Sequence, residues 1–443
     1  MEIRPFRSIR YNEKIVGDLA SVICPPYDVI TPELQKFCYQ RSDHNIIRLE
    51  CPMADGLETT EYSYKRAAAT FRKWLDEGVL KFDDTPAFYL HDCYFSYLGV
   101  ERRRRGLIAR LRLVPWGSDI CPHEETSPKD KSDRLQLMRA CQASFSPLFC
   151  LYQDPKKEIA SIFSEVTQDN PIISSPLMGE DKGEGDERHV VWAITDPELK
   201  QRLSTLSRQV APVIMADGHH RYETALVYQQ ECSAGEVSLL GEAEVTSLRE
   251  EASNYVMVAL VEFSDPGLAI PPIHRLVRGI KAMSRLEDFF TLEFVPLSND
   301  TLQSLFSSSG KYQMLIRGYL LGVLGLKRGY LVLLRERQDA SLKDMMPVNR
   351  SQAYRDFDIS ILNQVVLGKV LGLDMEEGNI AHTVDAVEAY EQVERGEYQL
   401  AFLVNPPQPE TIKAVVDAGD RLPRKSTYFY PKMPAGLIIN SLD

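Results

Sequence analysis

Residues 213–223 read Val-Ile-Met-Ala-Asp-Gly-His-His-Arg-Tyr-Glu, the densest group of chemically capable side chains in the sequence. An apolar run ends at Ala216, Asp217-Gly218 reads as a turn, and a helical pattern begins near His219. Tyr222, Ala225 and Leu226 then recur at i, i+3, i+4, the spacing of one buried helix face. A strand that turns through glycine into a helix directs unpaired backbone N–H groups, and the positive end of the helix dipole, at one point. That geometry suits a phosphate or a carboxylate. The imidazoles of His219 and His220 and the guanidinium of Arg221 add donors there, and arginine grips phosphate oxygens in a bidentate fork. The same residues admit a plainer reading, in which Asp217 or Gly218 only caps the helix, the histidines are solvated and Arg221 is paired with an acid.

A second cluster, Cys121-Pro122-His123-Glu124-Glu125-Thr126, follows the β-rich run that ends at Val114. Pro115, Gly117 and Pro122 break regular structure, so the cluster is expected in a loop. Histidine beside glutamate can serve as an acid/base or metal-handling pair, although in a loop the same pair is as readily surface decoration. The spacing is not H-E-x-x-H, so a zincin is not indicated. Asp28 and Glu50 are further candidates for the same cleft: Pro25-Pro26 fixes the backbone direction before Asp28, which could equally cap the helix after Thr31. His274-Arg275, after Pro271-Pro272, reads as a structural turn or an additional anion contact.

The elements that must hold these groups are partly legible. Thr31-Pro32-Glu33 predicts an N-cap, an N1 proline and a first-turn acid, opening a helix to about residue 40. Residues 58–77 form a clearer helix, with Tyr64, Ala67, Ala68, Phe71, Trp74 and Leu75 on one stripe. Two strands, Ala87–Tyr97 and Gly106–Val114, are expected to flank a turn carrying Glu101 and Arg102 to Arg105. Four consecutive arginines there read as a solvated turn or partner surface. A helix is expected over Ser132–Ala143, an acidic glycine-rich surface loop over 179–187, and a similar segment over 233–253 with enough leucine to form a helix. Beyond residue 280 strands and helices alternate: a helix near Leu286–Phe290, strand Leu292–Val295, helix Asn299–Ser307, strands Tyr312–Ile316 and Gly329–Leu334, an amphipathic helix over 358–371, helix Ala386–Glu394, strand Gln399–Val404 and helix Glu410–Ala418. Tyr428-Phe429-Tyr430-Pro431 reads as a packed edge strand rather than an aromatic platform. The fold class expected is α+β (mixed α/β), with an N-terminal α+β domain over 1–280 and a C-terminal α/β domain over 281–443.

The 443 residues suffice for two or three sizeable cores, and 44% hydrophobic with 26% charged residues is ordinary globular composition. A formal net charge of −12 argues against a non-specific nucleic-acid binder, which needs a basic face. The eight cysteines include no C-x-x-C pair, so they read as reduced, mostly buried thiols rather than a zinc knuckle or redox dithiol. The N-terminus lacks the apolar region of a signal peptide, and the longest uncharged apolar stretch, Gly318 to Leu326, is too short for a bilayer. A cytoplasmic, soluble protein with no membrane partner is expected.

Taken in order, the motifs resemble one family. They are Ile3-x-Pro5-Phe6, Pro25-Pro26-Tyr27-Asp28-Val29, Asn45 through Leu49-Glu50, Pro122-His123-Glu124-x-Thr126, Asp133-Arg134-Leu135, Ser146-Pro147, Ala216 to Arg221, His274-Arg275, and Ser426-Thr427 through Phe429-Tyr430-Pro431-Lys432 to Gly436-Leu437. On these the chain is identified as a member of the bacterial and archaeal family called domain of unknown function 1015. Asn363 is a departure, standing where histidine is expected. The strand, Pro-x-Glu loop, arginine-bearing helix and D-G-H-H-R helix start over about residues 105–235 are similar to the core of ParB-type and sulfiredoxin-like proteins, and among those to the free-serine kinases of archaea and staphylococci.

That resemblance implies a nucleotide-dependent phosphotransferase acting on a small hydroxylated metabolite, possibly free L-serine, with ATP or ADP and Mg²⁺ as cofactors. Glu124, with His123, corresponds to the catalytic position. Asp217, Gly218, His219, His220 and Arg221 correspond to the phosphate-handling segment, with Asp217 the metal ligand and Asp28, Glu50 and Arg134 candidates for the cleft wall. Phosphoryl transfer needs in-line positioning, charge neutralisation and a carboxylate to receive the hydroxyl proton, and these residue types can supply all three. Two other classes stay open: a ParB-like nucleotide-binding regulator without small-molecule turnover, and a non-catalytic scaffold. A homodimer is compatible with each.

Overall fold

The structure, a computed structural model, describes residues 1–53, 60–125, 131–177, 187–210, 212–234, 252–280, 285–298, 319–338, 341–373 and 378–442. The expected acidic loop at 179–187, most of the segment 233–253, helix 299–307 and strand 312–316 lie outside these residues, as does Thr126.

The fold is mixed α/β, and the described residues form three sheets. The largest has nine strands, in the order Ile120–Pro122, Val213–Asp217, Leu148–Tyr152, Tyr255–Glu262, Val100–Arg112, Phe88–Tyr97, Glu187–Ile194 and Ile173–Leu177, with Ile3–Arg4 also paired to Val100–Arg112. Its strands are near-continuous apolar runs such as Tyr255–Val261, every residue of which is buried, as expected of a sheet covered on both faces. Helix His219–Ser233 contributes Tyr222 and Ala225 to the core on one face, with Leu226 partly buried against them. On the other side, Tyr64, Ala67, Ala68, Phe71 and Trp74 of helix Thr60–Asp76 are all buried, as their spacing requires.

A six-stranded sheet carries the later elements, in the order Phe290–Pro296, Tyr330–Glu336, Leu321–Leu324, Leu400–Leu403, His274–Val277 and Ile380–Thr383. A four-stranded sheet, Leu80–Phe82, Ser8–Tyr11, Ile439–Ser441 and Ala143–Ser144, places the end of the chain against its beginning. Helices Pro32–Arg41, Lys131–Cys141, Ala386–Glu394 and Pro409–Asp417 lie where the sequence places them. Thr31 caps the first by accepting from Leu34 N at 3.2 Å. Residues 358–370 begin as an α-helix and continue as a π-helix from Leu362.

Two expectations change. The four arginines are not at the hairpin tip: the turn is Leu98-Gly99, both with positive φ, and Arg102–Arg105 lie within strand Val100–Arg112. Arg105 forks onto Asp92 through two bonds of 2.6 Å, and Arg104 is buried with its Nη1 on the Pro431 carbonyl at 2.6 Å. Tyr428–Pro431 does pack, but as irregular chain carrying one isolated bridge, Ala269 to Tyr430, rather than as an edge strand. All eight cysteines are free thiols and six are buried. No helix among the described residues is long and apolar enough to cross a membrane.

Candidate functional site

Residues 115–125 contain a short strand, Ile120–Pro122, that the prolines and glycine concealed in the sequence. It pairs in parallel with Val213–Asp217, Pro122 opposite Met215. Parallel neighbours release their chains at the same end of a sheet, and ligands of α/β folds bind outside those carboxyl ends. His123-Glu124 and Asp217-Gly218-His219 are therefore delivered side by side from positions almost a hundred residues apart.

A third segment closes the site. The Leu422 N–H donates to the His123 carbonyl at 2.8 Å and the Glu125 N–H to the Leu422 carbonyl at 3.1 Å, so the chain from 422 onward runs alongside 123–125. Arg275, buried at the start of strand His274–Val277, donates from Nη2 to the Lys425 carbonyl at 2.8 Å and fixes the bend. Lys425 takes a positive φ of 59°, a strained conformation for a lysine. The bend turns backbone donors onto Glu124: Lys425 N–H reaches Oε1 at 2.5 Å and Ser426 N–H reaches Oε2 at 3.2 Å. His274-Arg275 thus supports the site from behind rather than contacting an anion.

The three segments, with Tyr27-Asp28-Val29, line one cleft of about 540 Å³, within the usual range of roughly 300–1,000 Å³ for small-molecule sites. Glu124, His123, Asp217, Gly218, His219, His220, Arg221 and Asp28 all face it. Glu50 and Arg134 do not. Arg134 donates to the Glu50 carbonyl at 2.7 Å and lies over the Tyr27 ring at 4.3 Å, while the Glu50 carboxylate accepts from Ser146 Oγ at 3.2 Å. Both residues back the cleft wall through Tyr27 and Ser146.

Gly218 is the residue before the helix, with φ 94° and no side chain to cap the first turn. The N–H groups that an Asp or Ser cap would consume are left facing the cleft. Asp217 is not a cap. Its Oδ1 is bonded by Lys432 Nζ, and its Oδ2 by Arg221 Nη2 at 3.1 Å. Burial alone would raise the Asp217 pKa, but Lys432 and Arg221 outweigh it and hold the carboxyl at about 2. Burial likewise disfavours the Lys432 ammonium, and Asp217 with Asp28, the latter at 3.3 Å, more than reverses this, so the ammonium stays charged well above its ordinary range. An acid whose two oxygens already serve two cations does not fit a Mg²⁺ ion unless one is displaced. The fixed positive charge beside Asp217 is Lys432.

Arg221 is tied down as well. Its Nη1 donates to Ser146 Oγ at 2.9 Å and to the Pro147 carbonyl at 3.1 Å, whereas its buried Nε has no hydrogen-bond partner among the described residues. His123 donates from Nδ1 to the Met215 carbonyl at 2.5 Å, which leaves Nε2 to accept from the Thr427 hydroxyl at 2.6 Å. Burial lowers its pKa, so the ring is neutral near pH 7. The His219 ring lies tilted against it, centroids 4.9 Å apart, is held well below the ordinary imidazole pKa by burial and by His123, and its Nε2 has no hydrogen-bond partner among the described residues. Arg424 and Lys425 are exposed and line the same cleft. The site can therefore hold an anion between fixed donors on one wall and present a bound, oriented carboxylate, Glu124, on the other. The sequence reading assigned no role to Lys432, Thr427 or the 425–426 amides, although Ser426-Thr427 and Lys432 stand in the motif run that carried the family resemblance.

A mixed α/β fold with a polar, cation-rimmed cleft at the carboxyl ends of two parallel strands defines the class. Residues 3–348 match the family model described as Protein of unknown function (DUF1015), and the chain belongs to that family. No curated protein matches the sequence. Among solved structures the chain is similar to a conserved hypothetical protein from Pyrococcus furiosus, 13% identical, covering 76% of this chain and 95% of that one at a TM-score of 0.33. It is also similar to a free serine kinase variant in complex with ADP, 12% identical, 76% and 87% covered, TM-score 0.32. A third is SbnI with a C-terminal truncation from Staphylococcus aureus, 10% identical, 73% and 84% covered, TM-score 0.33.

Proposed function

We propose that the cleft binds the phosphates of ATP or ADP and that the protein transfers a phosphoryl group to the hydroxyl of a small metabolite, with free L-serine the acceptor to test first. One observation carries this reading: Glu124 and the glycine-led helix start with Arg221 and Lys432 line a single cleft. Phosphoryl transfer asks little covalent chemistry of a protein and much positioning and charge stabilisation. The 218–221 amides, Arg221 and Lys432 meet the phosphates, and Arg424 and Lys425 add positive charge at the cleft's edge. Glu124, oriented by the 425 and 426 amides, receives the acceptor's proton. The phosphate charge that Mg²⁺ would offset beside Asp217 is offset by Lys432.

The test is to incubate the full chain with ATP or ADP and L-serine and to measure phosphoserine, alongside nucleotide affinity. Glu124→Gln should lower turnover by about 10²–10⁴, the contribution typical of a general base, with nucleotide affinity unchanged. Tight nucleotide binding without product from any hydroxylated metabolite would favour a regulatory nucleotide binder, and no binding at all would defeat both.

A further inference from the structure

Four strands along the large sheet from Val213–Asp217, strands Phe88–Tyr97 and Glu187–Ile194 carry a polar cluster that the proposed activity does not use. Cys93 stands directly opposite His189, and His91 opposite Val191. Because side chains alternate across a strand, Cys93 and His91, and Glu187 and His189, project from one face of the sheet. Ligand atoms of Cys93, Glu187 and His189 all lie within 4.8 Å of one another. Cys93 and His189 are fully buried, and Glu187 is partly exposed at the cluster's edge.

The His189 ring is the informative member. Its Nδ1 is bonded to His91 Nε2 at 2.9 Å, with the two rings stacked. Its Nε2 is buried, 3.5 Å from Glu187 Oε2 and within ion-pair range of it, and has no hydrogen-bond partner among the described residues. A metal-bound histidine characteristically uses one ring nitrogen for the ion and donates the other N–H to a neighbour that fixes its tautomer. His91 is such a neighbour, and the unpartnered nitrogen points toward the thiol and the carboxyl.

We propose that Cys93, Glu187 and His189 form a zinc site, with His91 the positioning residue. Thiolate, imidazole and carboxylate are the donors zinc takes, and tetrahedral bonds of about 2.0–2.3 Å require the ligand atoms to draw in to roughly 3.5 Å. One thiolate and one carboxylate cancel the ion's two charges, which a buried site beside Arg104 requires. Arg104, the strand neighbour of Cys93, directs its guanidinium to the Pro431 carbonyl and the Met433 sulfur. The ion would staple the two strands and leave a fourth position for water. The rival occupant of the same space is a proton, with charged His189 paired to Glu187.

The experiment is a Co²⁺ titration of the full chain after EDTA treatment, followed by competition with Zn²⁺. One equivalent of Co²⁺ should give thiolate-to-metal charge-transfer absorption that Zn²⁺ abolishes, and Zn²⁺ should raise the melting temperature. Cys93→Ser should remove the band. Should that variant fold poorly, Glu187→Gln, at the partly exposed position, should weaken Co²⁺ binding at least tenfold. A wild-type chain with no thiolate band, or a band of equal strength and affinity in both variants, overturns the site in favour of the ion pair.

Discussion

The ammonium of Lys432 is bonded to Asp217 Oδ1 across 215 positions of sequence, and it is this pair that fastens the returning chain to the start of helix His219–Ser233. Both side chains are largely buried. Removing one partner of a buried pair leaves an uncompensated charge, a loss of about 3–5 kcal/mol. Lys432→Met should therefore destabilise by that order, and Lys432→Met with Asp217→Asn should recover much of it. The pH dependence follows from the two shifts. Asp217, held at about 2, contributes stability above its unfolded pKa that is lost as pH falls from about 4 through 2. Lys432, raised well above its usual value, contributes below its unfolded pKa and is lost only in strong alkali. Urea unfolding across pH checks both arms. Nucleotide binding should also persist in EDTA, since the positive charge beside Asp217 is fixed in the chain.

Gly218 is constrained twice over. Its φ of 94° excludes most side chains, and a Cβ there would lie 2.6 Å from Leu148 Cδ2 and 3.1 Å from Arg221 Nη2. Gly218→Ala should cost about 1–3 kcal/mol through left-handed strain and the clash. It should also displace Arg221 and weaken nucleotide binding at least tenfold. Thermal unfolding and calorimetric titration read the two effects separately, and loss of stability with intact affinity would show that the helix start is merely structural.

The Asp217–Arg221 half of the candidate site was legible because its parts are contiguous: an apolar run, glycine, then donors in a helix's first turn. Glu124 was visible as a residue type but not as a position, since the strand that aims it, Ile120–Pro122, is three residues long and flanked by turn formers. What closes the cleft was not legible at all. Thr427 and Lys432 reach it through tertiary contacts that no local periodicity encodes, after the chain has passed through the six-stranded sheet. The arginine run misled for a related reason. Charge at a hairpin suggests solvent, which holds for exposed Arg103, whereas Asp92 pairs with Arg105 and the Pro431 carbonyl accepts from buried Arg104. Long, amphipathic helices such as Ala386–Glu394 were read to the residue because one stripe decides them.

Four histidines, His91, His123, His219 and His274, are each held below the ordinary imidazole pKa by burial, His274 at about 3. Their unfolded forms take up protons below pH 6.5 while the folded forms do not. Stability is thus present above that value and lost as pH falls toward the folded pKa values. Each contributes up to about 1.4 kcal/mol per pH unit in that range. The urea midpoint should fall steeply from pH 6.5 to 5, and His274→Gln should flatten that decline by about a quarter.

Thr427 couples the two chemical groups of the opposite wall. Its hydroxyl lies 2.6 Å from His123 Nε2 and 3.4 Å from Glu124 Oε2. With His123 neutral and its Nδ1 proton on the Met215 carbonyl, the Thr427 proton belongs to the histidine, which leaves Glu124 Oε2 with only the Ser426 amide as a close donor. The carboxylate is thereby oriented without being satisfied, the state a proton acceptor needs. Thr427→Val keeps the shape and leaves a buried ring nitrogen unpaired, a loss of about 1–3 kcal/mol. The expected result is a turnover about tenfold lower, a nucleotide affinity close to that of the parent, and an altered acid limb of the pH–rate profile. Thr427→Ser should restore all three; a valine variant with unaltered turnover and pH profile would remove Thr427 and His123 from any part in orienting the base.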